Sequence, residues 1–283
     1  MKKSLLETVL DPEQLSVRFQ PIFRIADGDN RLHSVEALIR GPRGTHFESA
    51  QLLFDYVRRK KEEKAVDLAC IAAICAEAAR LPRDLRINVN VHATTLGQHS
   101  GFVDSFRRRA YKHSLSLDRF TIEIVEHAPT CDIPELSRTI TSLRNAGMRI
   151  ALDDVGLGHS NYRMMLDCHP EYFKLDAYFV RGIRDDSKRR AVVESVVAFG
   201  KALHTAVVAE AAETLEDIAI LADMGVEFVQ CNVLCPAITL DELLATAVVG
   251  WPKDGLAIGQ GAAAGKGNAT NLMRSQAHAV MAT

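Results

Sequence analysis

Eight short runs rich in aliphatic and β-branched residues recur along the chain, with helical patterns between most of them. They are "SVRFQPIF" (16–23), "HSVEALIR" (33–40), "LRINVNV" (85–91), "RFTIEIVE" (119–126), "MRIALDD" (148–154), "EYFKLD" (171–176), "TAVVAE" (205–210) and "EFVQC" (227–231). Several are near-continuous apolar runs, the pattern of parallel strands covered on both faces. Between them, Val192, Val196, Phe199 and Leu203 recur at helical spacing. Thr214 with Asp217, ahead of Leu215, Ile218 and Leu221, reads as a capped helix start. Strands alternating with helices predict an α/β chain, and eight of them a (β/α)8 barrel, which needs ~250 residues. One connection breaks the alternation. Only "RIADGDNRL" separates the first two strands, too short for a helical crossover, and Asp27-Gly28-Asp29-Asn30 is turn chemistry. The expectation is a modified (β/α)8 TIM-type barrel with an antiparallel first strand. It divides the chain into an N-terminal helical segment (1–15), a barrel domain (16–250) and a Gly/Ala-rich tail (251–283).

Composition narrows the class of partner. With 47% hydrophobic and 25% charged residues in 283, a large core is available. A formal net charge of -2 points to neither DNA nor an anionic membrane. The N-terminal "MKKSLLETVLDPEQ" meets Glu7 and Asp11 too soon for a signal peptide, and no uncharged apolar run approaches the ~18 residues of a membrane span. Cys70, Cys75, Cys131, Cys168, Cys231 and Cys235 are scattered through apolar segments and read as reduced thiols. A cytoplasmic protein is expected.

Polar residues punctuate the strands. Glu36, Asn90, Glu123, Glu126, Asp153, Asp154, Lys174, Glu210 and Gln230 lie in or at the ends of seven of them. In a barrel these ends converge on one rim, where barrel enzymes place their catalytic groups. Taken singly, each has an ordinary reading: a core tripeptide for "EAL", a turn for Asp153-Asp154, a surface lysine for Lys174, a helix cap for Glu210. Taken together, the candidate ligands among them are hard oxygen donors, the kind that select Mg²⁺ or Mn²⁺. No histidine takes an obvious ligand position, although His92 follows Asn90 by two. An adjacent aspartate pair can bridge two metals, the usual arrangement for attack on phosphorus. The residue chemistry alone suggests a metal-dependent phosphodiesterase or phosphatase.

In order along the chain, "FQPIF", "VEALIR", "NVNV", "EIVE", "LDDVGLGHS", "FKLD", "VVAEAAET" and "FVQC" resemble the motifs of the EAL domain of bacterial cyclic di-GMP phosphodiesterases, from about Phe19 to Leu244. The resemblance implies hydrolysis of cyclic di-GMP to linear pGpG at a two-metal site holding Mg²⁺ or Mn²⁺. It implies Glu36, Asn90, Glu123 and Asp153 as ligands of the first metal, with Asp153 bridging and Asp154 and Glu210 serving the second metal and the attacking water. Lys174 would orient that water or neutralise developing charge. Gln20, Leu38, Arg40, Asp176, Glu213 and Gln230 would contact the nucleotide, and Glu126, Gly156 and Ser160 would support the loop after Asp154. A homodimer is implied. With only ~15 residues ahead of the barrel the module is expected to stand alone, controlled by expression, oligomerisation or a separate regulatory protein.

The departures surround the metal positions. Val155, Leu157, His159 and Asn161 stand where the family has Phe, Thr, Tyr and Ser; Val125 replaces Thr, Ala211 replaces Gly, and Cys231-Asn232 replaces Gly-aromatic. Losing hydroxyls that brace a metal ligand typically costs ~10–100-fold in affinity or activity. The alternative function is therefore a catalytically degenerate EAL protein that binds cyclic di-GMP or a protein partner as a regulator.

Overall fold

The computed structural model describes residues 4–28, 31–125, 132–156 and 162–249. Glu126, Cys131, Leu157, His159, Ser160, Asn161 and the Gly/Ala-rich tail lie outside them. Ahead of the barrel, Ser4 and Glu7 form a reciprocal capping box that starts the helix Leu5–Val9, and a 3-10 turn Pro12–Gln14 leads into the first strand.

The eight strands are β1 (Ser16–Arg24), β2 (Leu32–Arg40), β3 (Arg86–His92), β4 (Phe120–Val125), β5 (Arg149–Val155), β6 (Tyr172–Leu175), β7 (Ala206–Glu210) and β8 (Phe228–Gln230). They hydrogen-bond in sequence order into a closed barrel. β1 runs antiparallel to β2 and β8, and every other neighbouring pair is parallel. Both the hairpin and the barrel expected from the short first connection are therefore present.

Two faces of each strand do different work. On β3, Ile87, Val89 and Val91 are fully buried in the main apolar cluster, together with Cys70, Ile71 and Ile74 of the helix Glu63–Ala78. Asn88 and Asn90 alternate with them and face the barrel interior, where their amides meet Glu123 and Glu36. The same alternation puts Glu36, Glu123, Asp153, Lys174, Glu210 and Gln230 inside. The helix Leu215–Asp223 begins at Thr214, whose side chain accepts from the Asp217 N–H while the Asp217 carboxylate accepts from the Thr214 N–H. The five described cysteines are buried and free, as expected of reduced thiols.

The β1–β2 ladder slips at one place. Ile22 pairs with Ser34 but Phe23 pairs with Leu32, leaving His33 unpaired as a bulge. The imidazole turns inward, onto Phe228 of β8 and Tyr172 of β6, with ring centroids 4.2 and 5.6 Å away.

Ala211, directly after β7, sits at φ 55 with its N–H donating to the Gln230 carbonyl at 2.8 Å. That left-handed conformation costs an L-residue ~1–2 kcal/mol, whereas glycine adopts it freely but gives up more entropy on folding. The alanine that replaces the family's glycine is thus strained. Ala211→Gly should raise the thermal midpoint by about 2 °C, reflecting a net gain below ~1 kcal/mol; a lower midpoint in a calorimetric scan would show that the alanine is relaxed there.

Candidate active site

Lys174 is the centre of the site. Its side chain is only 2% exposed, and Nζ lies 2.7 Å from Glu210 Oε1, 2.8 Å from Glu123 Oε2, and 3.2 Å from both Glu36 Oε2 and Asp153 Oδ1. Four strands besides its own thus deliver a carboxylate to one ammonium. Burial alone would strip the lysine of its proton, but Asp153, Glu123, Glu210 and Glu36 together hold its pKa well above the usual value.

The carboxylates are not equivalent. Burial pushes Glu36 up, yet the Lys174 charge and hydrogen bonds from Gln230, Asn90 and Lys174 hold it below its usual value. Its two oxygens accept from Asn90 Nδ2 at 2.6 Å and Gln230 Nε2 at 2.6 Å. Glu123 is pushed well up by complete burial and by Glu36, against the pull of Lys174. Glu210 rises to about 8 through burial and the charges of Asp153 and Glu36, again against Lys174. One ammonium cannot neutralise four carboxylates, and Glu123 and Glu210 are the two driven towards their protonated forms.

A cavity of about 570 Å³ opens above this cluster, within the range of small-ligand sites. Of the residues expected to touch the nucleotide, Gln20, Leu38, Glu213 and Gln230 line it, alongside Glu36, Asp153, Lys174 and Glu210. Asn90 and Glu123 lie beneath, within the cluster. Arg40 and Asp176 are not on the lining. Arg40 Nη1 donates to the Ile39 carbonyl at 3.0 Å, and Asp176 caps the helix Ala177–Val180 by accepting from the Tyr178 N–H at 2.6 Å. Asp154, one residue before the end of β5, has φ 51, a conformation aspartate tolerates, and is also off the lining. Gly156, at φ +99, is a position only glycine can fill: an added Cβ would stand 2.6 Å from Phe179 Cε2. His92 turns to the helix Glu63–Ala78, its Nδ1 2.8 Å from Asp67 Oδ1, and takes no part in the cluster.

Three contributors escape the sequence reading. Asn88 Nδ2 donates to Glu123 Oε1 at 2.7 Å, so Glu123 is gripped between an amide below and Lys174 beside it. Asn232 Oδ1 accepts from Gln20 Nε2 at 3.1 Å, and Gln20 Oε1 in turn accepts from Gln230 Nε2 at 3.1 Å, a chain of amides running from the cavity mouth to Glu36. Arg181 lines the mouth 3.7 Å from Glu213, both side chains 60% exposed, a pair of little energetic weight. The alternation "NVN" could have flagged Asn88, since both asparagines share a face; nothing in the order of residues points to Asn232 or Arg181.

The donor set fits a hard divalent ion. Four carboxylates and the Asn90 amide face one interior point with a single ammonium for counter-charge, and Asn88 Oδ1 and Gln230 Oε1 are buried without a hydrogen-bond partner. Among the described residues no three acidic, histidine or cysteine side chains form a ready cage, because the carboxylates turn to Lys174 Nζ. A bound ion would take part of that role.

A stability signature follows with a definite sign. Glu210 and Glu123 hold protons in the folded state that the unfolded chain releases above its ordinary carboxylate pKa of ~4.3. The folded state therefore binds more protons, and stability falls as pH rises through about 8 for Glu210. His33, held down at about 4, acts in the opposite direction but only below its ordinary value of 6.5. Without divalent ions, the melting temperature should fall between pH 7 and 8.5. Glu210→Gln should flatten the slope, and Mn²⁺ should offset it, since its ligands bind deprotonated. Equal slopes for wild type and Glu210→Gln would contradict the assignment.

Comparison with known proteins gives a consistent picture. A family model described as "EAL domain" matches residues 3–237. Among curated proteins, the chain is 28% identical over 240 residues to the cyclic di-GMP phosphodiesterase NbdA of Pseudomonas aeruginosa, covering 81% of this chain and 30% of that protein. It is 27% identical over 251 residues to the bifunctional diguanylate cyclase/cyclic di-GMP phosphodiesterase MucR of the same organism, covering 85% and 36%. The chain thus spans about a third of the length of these relatives. Among solved structures, the MucR phosphodiesterase in complex with c-di-GMP superposes with a TM-score of 0.74 at 25% identity, covering 84% of this chain and 97% of that one. Klebsiella pneumoniae BlrP1 in its manganese/cyclic di-GMP complex superposes with a TM-score of 0.66 at 30% identity, covering 77% and 54%.

Proposed function

Since the chain belongs to the EAL domain family, we propose that it hydrolyses cyclic di-GMP to linear pGpG with the help of divalent metal ions. The observation that carries this reading is the convergence of Glu36, Glu123, Asp153 and Glu210 on the buried ammonium of Lys174 at the floor of the cavity. The names of the relatives support the substrate, and the manganese complex of BlrP1 supports the class of ion.

In this reading Glu36, Asn90, Glu123, Asp153, Asp154 and Glu210 would hold the ions, Mg²⁺ or Mn²⁺. Bound there, the ions would lower the pKa of water and neutralise charge on the phosphoryl oxygens. The chain's own residues supply the rest. Lys174 holds a fixed positive charge beside the reacting phosphate, where a preorganised charge stabilises the transition state without reorganisation. Glu210, deprotonated once the ions are bound, would accept the proton of the attacking water. The new bond forms from that water's oxygen to phosphorus, the bond from phosphorus to the 3′-oxygen breaks, and that oxygen leaves with a proton. Gln20 and Gln230, locked by Asn232 and Glu36, present amides of fixed orientation to the nucleotide. Leu38 and Glu213 shape part of the remaining wall. Asn88 acts at one remove, by holding Glu123.

Purified protein with Mn²⁺ should convert cyclic di-GMP to pGpG. Glu36→Ala should lower kcat at least ~10²-fold, the usual loss when a charge-stabilising group is removed, while nucleotide binding, measured separately by calorimetry, persists. Wild type that binds the nucleotide but forms no more pGpG than Glu36→Ala would make the chain a binder and sink the enzymatic reading.

A further inference from the structure

The opposite end of the barrel carries a second constellation that the proposed reaction does not use. Arg86 opens β3, Arg149 opens β5, Tyr172 opens β6 and Arg24 ends the antiparallel β1. Because side chains alternate along a strand, Arg86 shares the inward face of Asn88 and Asn90, Arg149 that of Asp153, and Tyr172 that of Lys174. Arg86, Arg149 and Tyr172 therefore belong to the barrel interior at its base, with Arg24 at the same end. The bulge in β2 adds His33 to them, with Nε2 3.0 Å from the Tyr172 hydroxyl and the ring packed on Phe228. Arg149 hydrogen-bonds to the same hydroxyl.

Arg24 is ion-paired to Asp27 at 3.0 Å, which leaves Arg86 and Arg149 as the cations of the cluster to be accounted for. Arg86 spends Nη1 on the Asp118 carbonyl at 3.0 Å, and the Asp118 carboxylate acts on it from beyond ion-pair distance. Among the described residues neither Arg86 nor Arg149 has a carboxylate within ion-pair distance. Glu171, next to Tyr172, is already committed to Arg144 Nε at 2.9 Å and the Ile150 N–H at 2.7 Å. The local field is strong enough to be felt by its neighbours. Burial, then Arg86, Arg149 and Arg24, drive His33 down to about 4, and Arg149 is the largest charge lowering Arg86 after burial. The Arg86 and Arg149 guanidinia each carry five donors in a planar fork, most of them here unspent, against an aromatic wall that reduces competition from water.

We infer that the base of the barrel, between Arg86 and Arg149, is a binding site for a phosphate-type oxyanion. Two forked cations on alternate strands, with the Tyr172 hydroxyl between them, suit the several oxygens of such an ion better than the single point of a chloride. This inference is independent of the proposed hydrolysis, because the site lies at the other end of the barrel from Lys174.

The test is thermal melting of the metal-free protein in inorganic phosphate against sodium chloride at matched ionic strength, with guanosine 5′-monophosphate as a second arm. Wild type should gain at least ~2 °C at saturating phosphate over chloride, and Arg86→Met/Arg149→Met should lose that gain. A lower half-saturation for the nucleotide would assign the site to a phosphomonoester, and an equal or higher one to the free ion. No difference between phosphate and chloride in wild type overturns the inference. So does an equal gain in the double variant, which would place the phosphate elsewhere, including the cavity at Lys174. Should the double variant fail to fold, Arg86→Lys and Arg149→Lys keep the charge but lose the fork. Each should raise the half-saturating phosphate about tenfold, and unchanged values for both overturn the inference.

Discussion

The contact on which the barrel interior depends is the salt-bridge cluster at Lys174. An ammonium that is 2% exposed cannot stay charged in an apolar core without compensation, and four carboxylates within 3.2 Å more than provide it. Each arrives on a different strand, so the cluster ties β2, β4, β5 and β7 to β6 across the lumen. Removing one partner from such a network leaves an uncompensated buried charge, which is far costlier than the pair is stabilising. The helices and the apolar faces of the strands close the barrel; this cluster fixes how its interior side chains are aimed.

The same cluster is mismatched in charge, and that mismatch connects structure to function. Glu36 is held ionised by Lys174, Gln230 and Asn90, while burial keeps protons on Glu123 and Glu210. An assembly that keeps protons only because it lacks positive charge is poised to exchange them for a cation. Asn88 beneath Glu123, and the chain from Asn232 through Gln20 and Gln230 to Glu36, keep the donors oriented, so an arriving ion need not order them.

Much of this was legible in the residue order. Strand ends are readable because the period of two ties polar positions such as Asn90 and Glu123 to one face, and the short "RIADGDNRL" forced the hairpin that β1 and β2 form. Other features depend on relations between strands or on a single backbone angle. Arg40 and Asp176 look as eligible as Gln20 in the sequence, yet neither lines the cavity; Arg40 donates to the Ile39 carbonyl and Asp176 accepts from the Tyr178 N–H. The strain at Ala211 appears only as a φ of 55. The inward turn of His33 comes from a one-residue slip in register, and the role of Asn88 from the pairing that sets it opposite Thr121, one step below Glu123.

Considered along its axis, the barrel interior is graded in charge. The acid cluster occupies one end, Arg24, Arg86 and Arg149 the other, and the neutral Ser34, Asn88 and Thr121 are buried between them. Arg149 and Asp153 are four residues apart on β5, a rise of about 13 Å at ~3.3 Å per residue. At an effective dielectric constant of ~20, opposite charges at that distance attract by about 1 kcal/mol, less where water reaches the arginines. Each pair is weak, but several act in the same direction as Lys174, favouring ionised carboxylates at the Lys174 end. An oxyanion held at the base would cancel part of that field. The two ends of the lumen are therefore coupled electrostatically without any movement of the strands between them.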